Sequence, residues 1–384
     1  MAGGTVFLEQ SSAANATITN GTGGTTSFGT AYGTDPPTAG NAVITNNYRG
    51  ATEFNAFSTA GSAVITTNSG GATFFYDNST GGTAQFITNG TGFVDFGGSL
   101  GLNGDGRITA GSIAGSGTYY IGGGNTLVVG GNNLSTTVSG VIADNAPCGC
   151  GGLTLAKDGL STLPSVGNLE KTGSGTLILS GINTYSGTTS INGGILQVDG
   201  SIASSSLTTV NAGGLLSGVG TVGNATIASG GIFLPGNGTP GTSMTVSGNL
   251  AFQSGALYLV GINSTTSTFT NVTGTATLDG SVRVGVAAGS TVVKQYTILS
   301  ASGGRSGAFT GVDTLGLPSG LVASLSYDPT HAYLKLRAQL WRQVEPQHQS
   351  AERRDHAAEL LQRQWRHQRR LCWTDAERVD ASLG

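Results

Sequence analysis

The sequence predicts an all-β chain wound as a parallel β-helix, and three observations predict it: a repeat near 20 residues, strand alternation of period two, and an excess of glycine. Residues 16–20 (ATITN), 42–46 (AVITN), 63–68 (AVITTN) and 84–89 (AQFITN) begin 26, 21 and 21 residues apart. Each is followed by Gly-rich sequence and then by aromatics such as Phe28, Phe54, Phe74, Phe75 and Phe93. A period of this size signals a solenoid or an array. The chain's 66 glycines in 384 residues lack the three-residue period of collagen, so they mark many tight turns between short strands.

The repeat length sets the coil. Strands advance roughly 3.3 Å per residue, so ~21 residues give ~70 Å of path, enough for three short strands joined by turns. Rungs stacked at roughly 4.8 Å would number about 15 and build a rod on the order of 70 Å long. Because each rung touches only its neighbours, equivalent side chains should form ladders of Val/Ile, Phe and Asn. Alternation continues along the chain at Leu177 and Leu179, Leu196 and Val198, Leu250 and Phe252, and Val282, Val284 and Val286. Arg283 falls on the opposite, solvent face. Gly and Asn punctuate these runs, as in Asn192-Gly193-Gly194, where sharp corners call for positive φ. Helix signals are absent before residue 340.

Composition narrows the function classes. Charged residues are 10% of the chain and the formal net charge is −3, which gives no electrostatic reason to expect nucleic acid or an anionic membrane as partner. Near-neutral charge with recurrent apolar runs also argues against disorder. Residues 1–20 hold neither a positively charged start nor an apolar core, so no signal peptide is expected, and no apolar run is long enough for a membrane helix. Cys148, Cys150 and Cys372 are too few for a disulfide framework or a four-ligand zinc site. The Cys148-Gly149-Cys150 pair reads as part of a loop insertion.

Residues 167–202, GNLEKTGSGTLILSGINTYSGTTSINGGILQVDGSI, carry a denser signal. Lys171-Thr172-Gly173, Gly175-Thr176-Leu177, Leu179-Ser180-Gly181, Asn183-Thr184-Tyr185 and Gly187-Thr188-Thr189 resemble, in residues and spacing, the autotransporter-associated β-strand repeat of bacterial passenger domains. Residues 206–249 continue it with Gly220-Thr221-Val222-Gly223-Asn224 and Leu234-Pro235-Gly236-Asn237-Gly238. Residues 275–337 resemble the end of such a passenger, with final strands expected at 296–299, 321–327 and 332–336. The resemblance implies a right-handed parallel β-helix and a place at the cell surface, in the outer membrane or outside the cell. In the family a signal sequence directs export and a C-terminal barrel inserts in the outer membrane. The sequence shows neither, so contact with the outer membrane is expected only through a barrel absent from this chain.

These readings divide the chain into N-terminal repeats at 1–145, an insertion at 146–166, autotransporter-associated repeats at 167–290, C-terminal passenger strands at 291–340 and a tail at 341–384. The tail differs in kind. Residues 1–340 hold 9 Lys/Arg and 13 Asp/Glu, whereas 341–384 hold 8 and 7. Trp341, Trp365 and Trp373, the only tryptophans, lie there with His348, His356 and His367, and Gly384 is its one glycine. A polar helix over 357–370 is one reading. The other is a frameshift: moving the frame forward by one base turns every TGG codon into a glycine codon. The shifted reading resembles the Asn/Gln/Ala-rich linker between autotransporter passengers and their barrels.

No catalytic, cofactor-binding or metal residue is expected. Gly241-Thr242-Ser243-Met244 resembles the nucleophile strip of subtilisin-like proteases, but residues 1–330 contain no histidine to serve as general base. Asn103-Gly104-Asp105-Gly106 resembles part of a calcium loop yet occurs once, where a β-roll needs it repeated. Polysaccharide-acting enzymes also use β-helices, and carboxylates distant in sequence can meet across stacked rungs, so this class is the alternative. A nonfunctional fragment of a broken autotransporter gene is a third. The expected role is a structural or adhesive rod whose partners are host or bacterial surface glycans or copies of itself. Unpaired groups at a terminal rung predict association through the ends.

Overall fold

Strands of four residues with inward, outward, inward alternation cannot bury themselves alone, and each needs the rung above and below to close its backbone hydrogen bonds. The computed structural model satisfies this need with 36 strands. It describes residues 3–29, 36–145, 166–289 and 292–339, among which there is no helix. The strands form a right-handed parallel β-helix. One side is a thirteen-stranded sheet that starts at Thr17–Asn20 and runs through to Gly311–Leu315. A seven-stranded sheet, from Gly4–Phe7 to Val141–Ala143, forms a second side of the N-terminal half. A nine-stranded sheet beginning at Arg107–Ala110 and another seven-stranded sheet beginning at Ser201–Ile202 close the C-terminal half.

The sequence repeats stack in register. Ile18, Ile44, Ile65 and Phe86 are successive Cα partners in the long sheet. On the neighbouring side, Phe7, Phe28, Phe54, Phe75 and Phe96 form a ladder of stacked rings with centroids 4.7, 5.0, 4.8 and 4.8 Å apart. The third side of these rungs is thin, held by the parallel bridges Ser12–Thr38–Thr59–Thr80.

A polar seam joins two sides inside the coil. Asn20 Nδ2 donates to Asn46 Oδ1 at 2.8 Å, and the hydroxyls of Thr26 and Thr52 donate to Asn20 and Asn46, each at 2.9 Å. One rung later a Thr67–Thr73 pair takes over at 2.9 Å. These buried polar atoms are thereby paired, as burial requires. A second asparagine ladder runs outside it, with Asn89 donating to Asn68 and Asn68 to Asn47, both at 2.9 Å.

In the C-terminal half, Leu177, Leu179, Leu196, Val198, Leu250, Phe252, Val282 and Val284 all face the core. Arg283 points outward and pairs with Asp313 at 3.1 Å. Two features depart from the sequence reading. The long sheet has thirteen strands, fewer than the rung estimate, because several rungs exceed 21 residues and residues 146–166 intervene between stacked strands. The final strands, Gln295–Ala301, His331–Ala338 and Leu321–Tyr327, also pair antiparallel, ending the winding in a hairpin. Met1–Ala338 forms one compact unit. The tail expected at 341–384 lies outside the described residues.

Candidate functional site

The residues singled out as catalytic look-alikes occupy turns and strands. Ser243 opens the strand Ser243–Val246, Met244 is fully buried, and the Thr242 hydroxyl donates to the Thr239 carbonyl at 2.6 Å, closing a turn. Asp105 accepts the Arg107 N–H at 3.0 Å in another turn. Among the described residues no group of three or more His, Cys, Asp or Glu could hold a metal. Cys148 and Cys150 lie outside the described residues.

The one described histidine, His331, sits in the terminal hairpin. Its Nδ1 is 3.0 Å from Asp328 Oδ1 and 2.9 Å from Thr330 Oγ1. Hydroxyl and carboxylate share one ring nitrogen, whereas a relay needs the imidazole between them. The Asp328 carboxylate also accepts the Tyr333 hydroxyl at 2.7 Å and the Thr330 N–H at 2.8 Å. The Tyr333 bond, first among these contacts, holds its carboxyl well below the usual carboxylate range. This is a turn lock rather than a catalytic group.

In the segment 167–202 the motif residues Lys171, Asn183 and Tyr185 point inward and join rungs, while Ser180, Thr184 and Thr188 are exposed. Lys171 is buried, and its Nζ donates to the carbonyls of Thr172 at 2.6 Å, Gly173 at 3.3 Å and Gly193 at 3.1 Å. Burial lowers its pKa to about 8. Asn183 spans rungs: its Oδ1 accepts the Ile142 N–H at 2.9 Å while its Nδ2 donates to the Ser201 carbonyl at 3.1 Å. The fully buried Tyr185 bonds Thr189 at 2.7 Å. The motif is therefore architectural.

A distinct surface feature was not legible in the sequence. On the outer face of the N-terminal seven-stranded sheet, Glu53, Phe74, Asp95 and Tyr120 are successive Cα partners in one row. Phe93 and Tyr76 flank that row. The Phe74 and Tyr76 rings are 5.9 Å apart and near parallel at 15°. Phe93 meets Phe74 at 5.5 Å and 81°, and Tyr120 meets Phe93 at 5.7 Å and 66°. A β-bulge between Phe74 and Tyr76 shapes the patch. The Gly97 N–H at the bulge donates to Asp95 Oδ1 at 2.8 Å. A Cβ on Gly98 would lie 2.8 Å from the Tyr76 ring, so only glycine lets that ring lie across the strand. Burial raises the Glu53 and Asp95 carboxyl pKa values. Burial, then the charges of Glu53 and Asp95, push the Tyr76 hydroxyl up to about 12.

Comparison with known proteins adds family information. Residues 169–198 match the model of the passenger-associated transport repeat. Over 79 residues, 20% of the chain, the sequence is 42% identical to the adhesin BmaC autotransporter of Brucella suis biovar 1 (strain 1330). Over 72 residues, 19% of the chain, it is 50% identical to an extracellular serine protease of Serratia marcescens. The matched stretches span 2% and 7% of those two proteins. Among solved structures, the TibC-catalysed hyper-glycosylated TibA fragment aligns over 82% of this chain and 98% of its own, with 17% identity and a TM-score of 0.25.

Proposed function

We propose that this chain, which is passenger sequence of a bacterial autotransporter, acts at the cell surface as a structural and adhesive rod. The observation that carries the reading is the passenger repeat at 169–198, whose strands alternate in register between the nine-stranded and the thirteen-stranded sheet. The two similar proteins are an adhesin and a protease, so the repeat by itself is compatible with either activity. Adhesion is favoured because the described residues bring no nucleophile, base and carboxylate into a relay. The Thr, Ser and Asn side chains lining the outer faces offer donors and acceptors to polyhydroxylated surfaces, so surface glycans are the proposed partner class, with copies of the chain itself as the second.

The experiment is adhesion of beads coated with the chain to epithelial cells and to bacteria, before and after enzymatic removal of cell-surface glycans. Adhesion above that of albumin-coated beads, reduced by deglycosylation, is expected. Beads that adhere no better than albumin would overturn the reading, and release of sugars from polysaccharide substrates would move it to the enzyme alternative.

A further inference from the structure

Of the outward-facing surfaces, the patch built by Glu53, Phe74, Tyr76, Phe93, Asp95 and Tyr120 departs furthest from an ordinary rod surface. Outer positions elsewhere on this sheet are mostly small or polar, as at Thr25, Ser27, Ala51 and Thr118, with Val6 and Val141 apolar but none aromatic. Aromatic rings placed outward gain nothing from the core, and the adjacent Phe75 and Phe96 already supply the inner ladder. Asp95 is buried beneath these rings at 4% exposure, where the Gly97 N–H satisfies one of its oxygens, and Glu53 is half-buried beside them; carboxylates so withdrawn from water are unfavourable unless something offsets them. Neither takes part in an ion pair among the described residues, where the pairs are Arg107–Glu170, Arg283–Asp313 and His331–Asp328.

Geometry and charge together select the ligand. A sugar ring stacks best on an open, coplanar aromatic platform; Phe74 and Tyr76 lie near parallel at 15°, but Phe93 stands nearly perpendicular to Phe74 and steeply inclined to Tyr120, so the patch is walled rather than flat. Such rings form corners, and a corner suits a compact group touched from two sides. Ring faces carry the negative side of the aromatic quadrupole, and a cation within about 6 Å of a ring centroid is attracted by it. Adjacent strands are about 4.8 Å apart, so Glu53 and Asp95 flank Phe74 at about one strand spacing each. Every electrostatic element of the patch therefore favours positive charge, and the apolar ring surface favours a cation clad in alkyl groups.

We propose that this patch binds a compact alkylated ammonium ion, held against Phe74, Phe93 and the Tyr76 ring and neutralised by Glu53, with the buried Asp95 adding negative potential from beneath. The bulge at Gly97 and Gly98 is what builds the site, since it fixes the Asp95 carboxylate and lets Tyr76 lie beside it. The proposal deepens the adhesive reading by naming one ligand chemistry, but it concerns binding by the isolated chain. Its failure leaves the bead adhesion result standing, and the reverse also holds.

The test is calorimetric titration of the full chain at pH 7.5 with choline, with its uncharged carbon isostere 3,3-dimethylbutan-1-ol, and with cellobiose. Choline should bind at least ~10-fold more tightly than the isostere, the margin expected when charge rather than shape dominates. Glu53→Gln and Phe93→Leu should each weaken choline binding by roughly 3- to 10-fold, the loss of one cation–π or ion-pair contact. Both positions face outward, so melting temperatures should stay at the parent value; if Phe93→Leu melts lower, Glu53→Gln alone decides. Vesicles of phosphatidylcholine, set against free choline, distinguish a surface-borne head group from a soluble ligand, and binding to either supports the site. No saturable binding of choline in either form, equal affinity for the isostere, a preference for cellobiose, or unchanged affinity in Glu53→Gln would each overturn the proposal.

Discussion

Lys171 shows what a single residue contributes to this fold. Its neighbours in the strand Asn168–Lys171 alternate, and the same alternation that sends Leu169 inward sends Lys171 inward as well. The direction was legible in the pattern. The partners were not, because the Gly193 carbonyl belongs to the next rung, 22 residues later. Replacing the lysine by methionine leaves three carbonyls without their donor, so Lys171→Met should cost about 1–3 kcal/mol in urea unfolding. The pH dependence has a definite sign. Burial holds the folded-state pKa at about 8, below the ordinary 10.5, so between those values the unfolded chain binds more protons. Stability from this group therefore rises as pH increases from about 8 towards 10.5 and falls back as pH drops to 8. Urea midpoints of the parent and Lys171→Met chains at pH 7.5, 8.5 and 9.5 should diverge accordingly, and parallel profiles would show that the ammonium is not the titrating group.

Strands and corners make up the next scale. The repeats at 16–20, 42–46, 63–68 and 84–89 announced the rung, since equal spacing places like residues one above another. Corners were legible as glycine but not as contacts. At one corner Gly140, Gly181, Gly200 and Gly220 stand in a column, and a Cβ on each of the last three would run into the carbonyl of the glycine below. Gly200→Ala must push two rungs apart and should destabilise the chain by about 1–3 kcal/mol, the usual range for overpacking. Melting at the parental temperature would mean that the corner has slack. Two elements escaped the pattern for different reasons. Phe74 and Phe75 are adjacent aromatics, and alternation alone cannot say which faces out until the register with Glu53 and Phe54 is known. The antiparallel pairing of Gln295–Ala301, His331–Ala338 and Leu321–Tyr327 was equally hidden, because side-chain alternation is the same whichever way the neighbouring strand runs.

Across the whole solenoid, the two ends differ. The last parallel winding gives way to the antiparallel hairpin, whereas Gly4–Phe7 pairs only with Thr25–Phe28, and Thr17–Asn20 only with Val43–Asn46, among the described residues. Val6 on that first strand is 57% exposed. Such an edge is a template for another strand, so sedimentation velocity should show association that grows with concentration. A charge on the edge should suppress it, and Val6→Lys is the variant to compare. A single monomeric species at every concentration, or equal association in the variant, would count against the edge as the contact.

Parallel winding also fixes how the rod answers a pull. The bonds that join one rung to the next lie along the coil axis, in line with a load applied at its ends, so rungs peel away singly instead of sharing the force. A detached rung of ~21 residues releases up to ~70 Å of chain in place of about 5 Å of folded height. A load on such a rod would be met by small yielding steps, as in a damper, instead of one abrupt rise in tension.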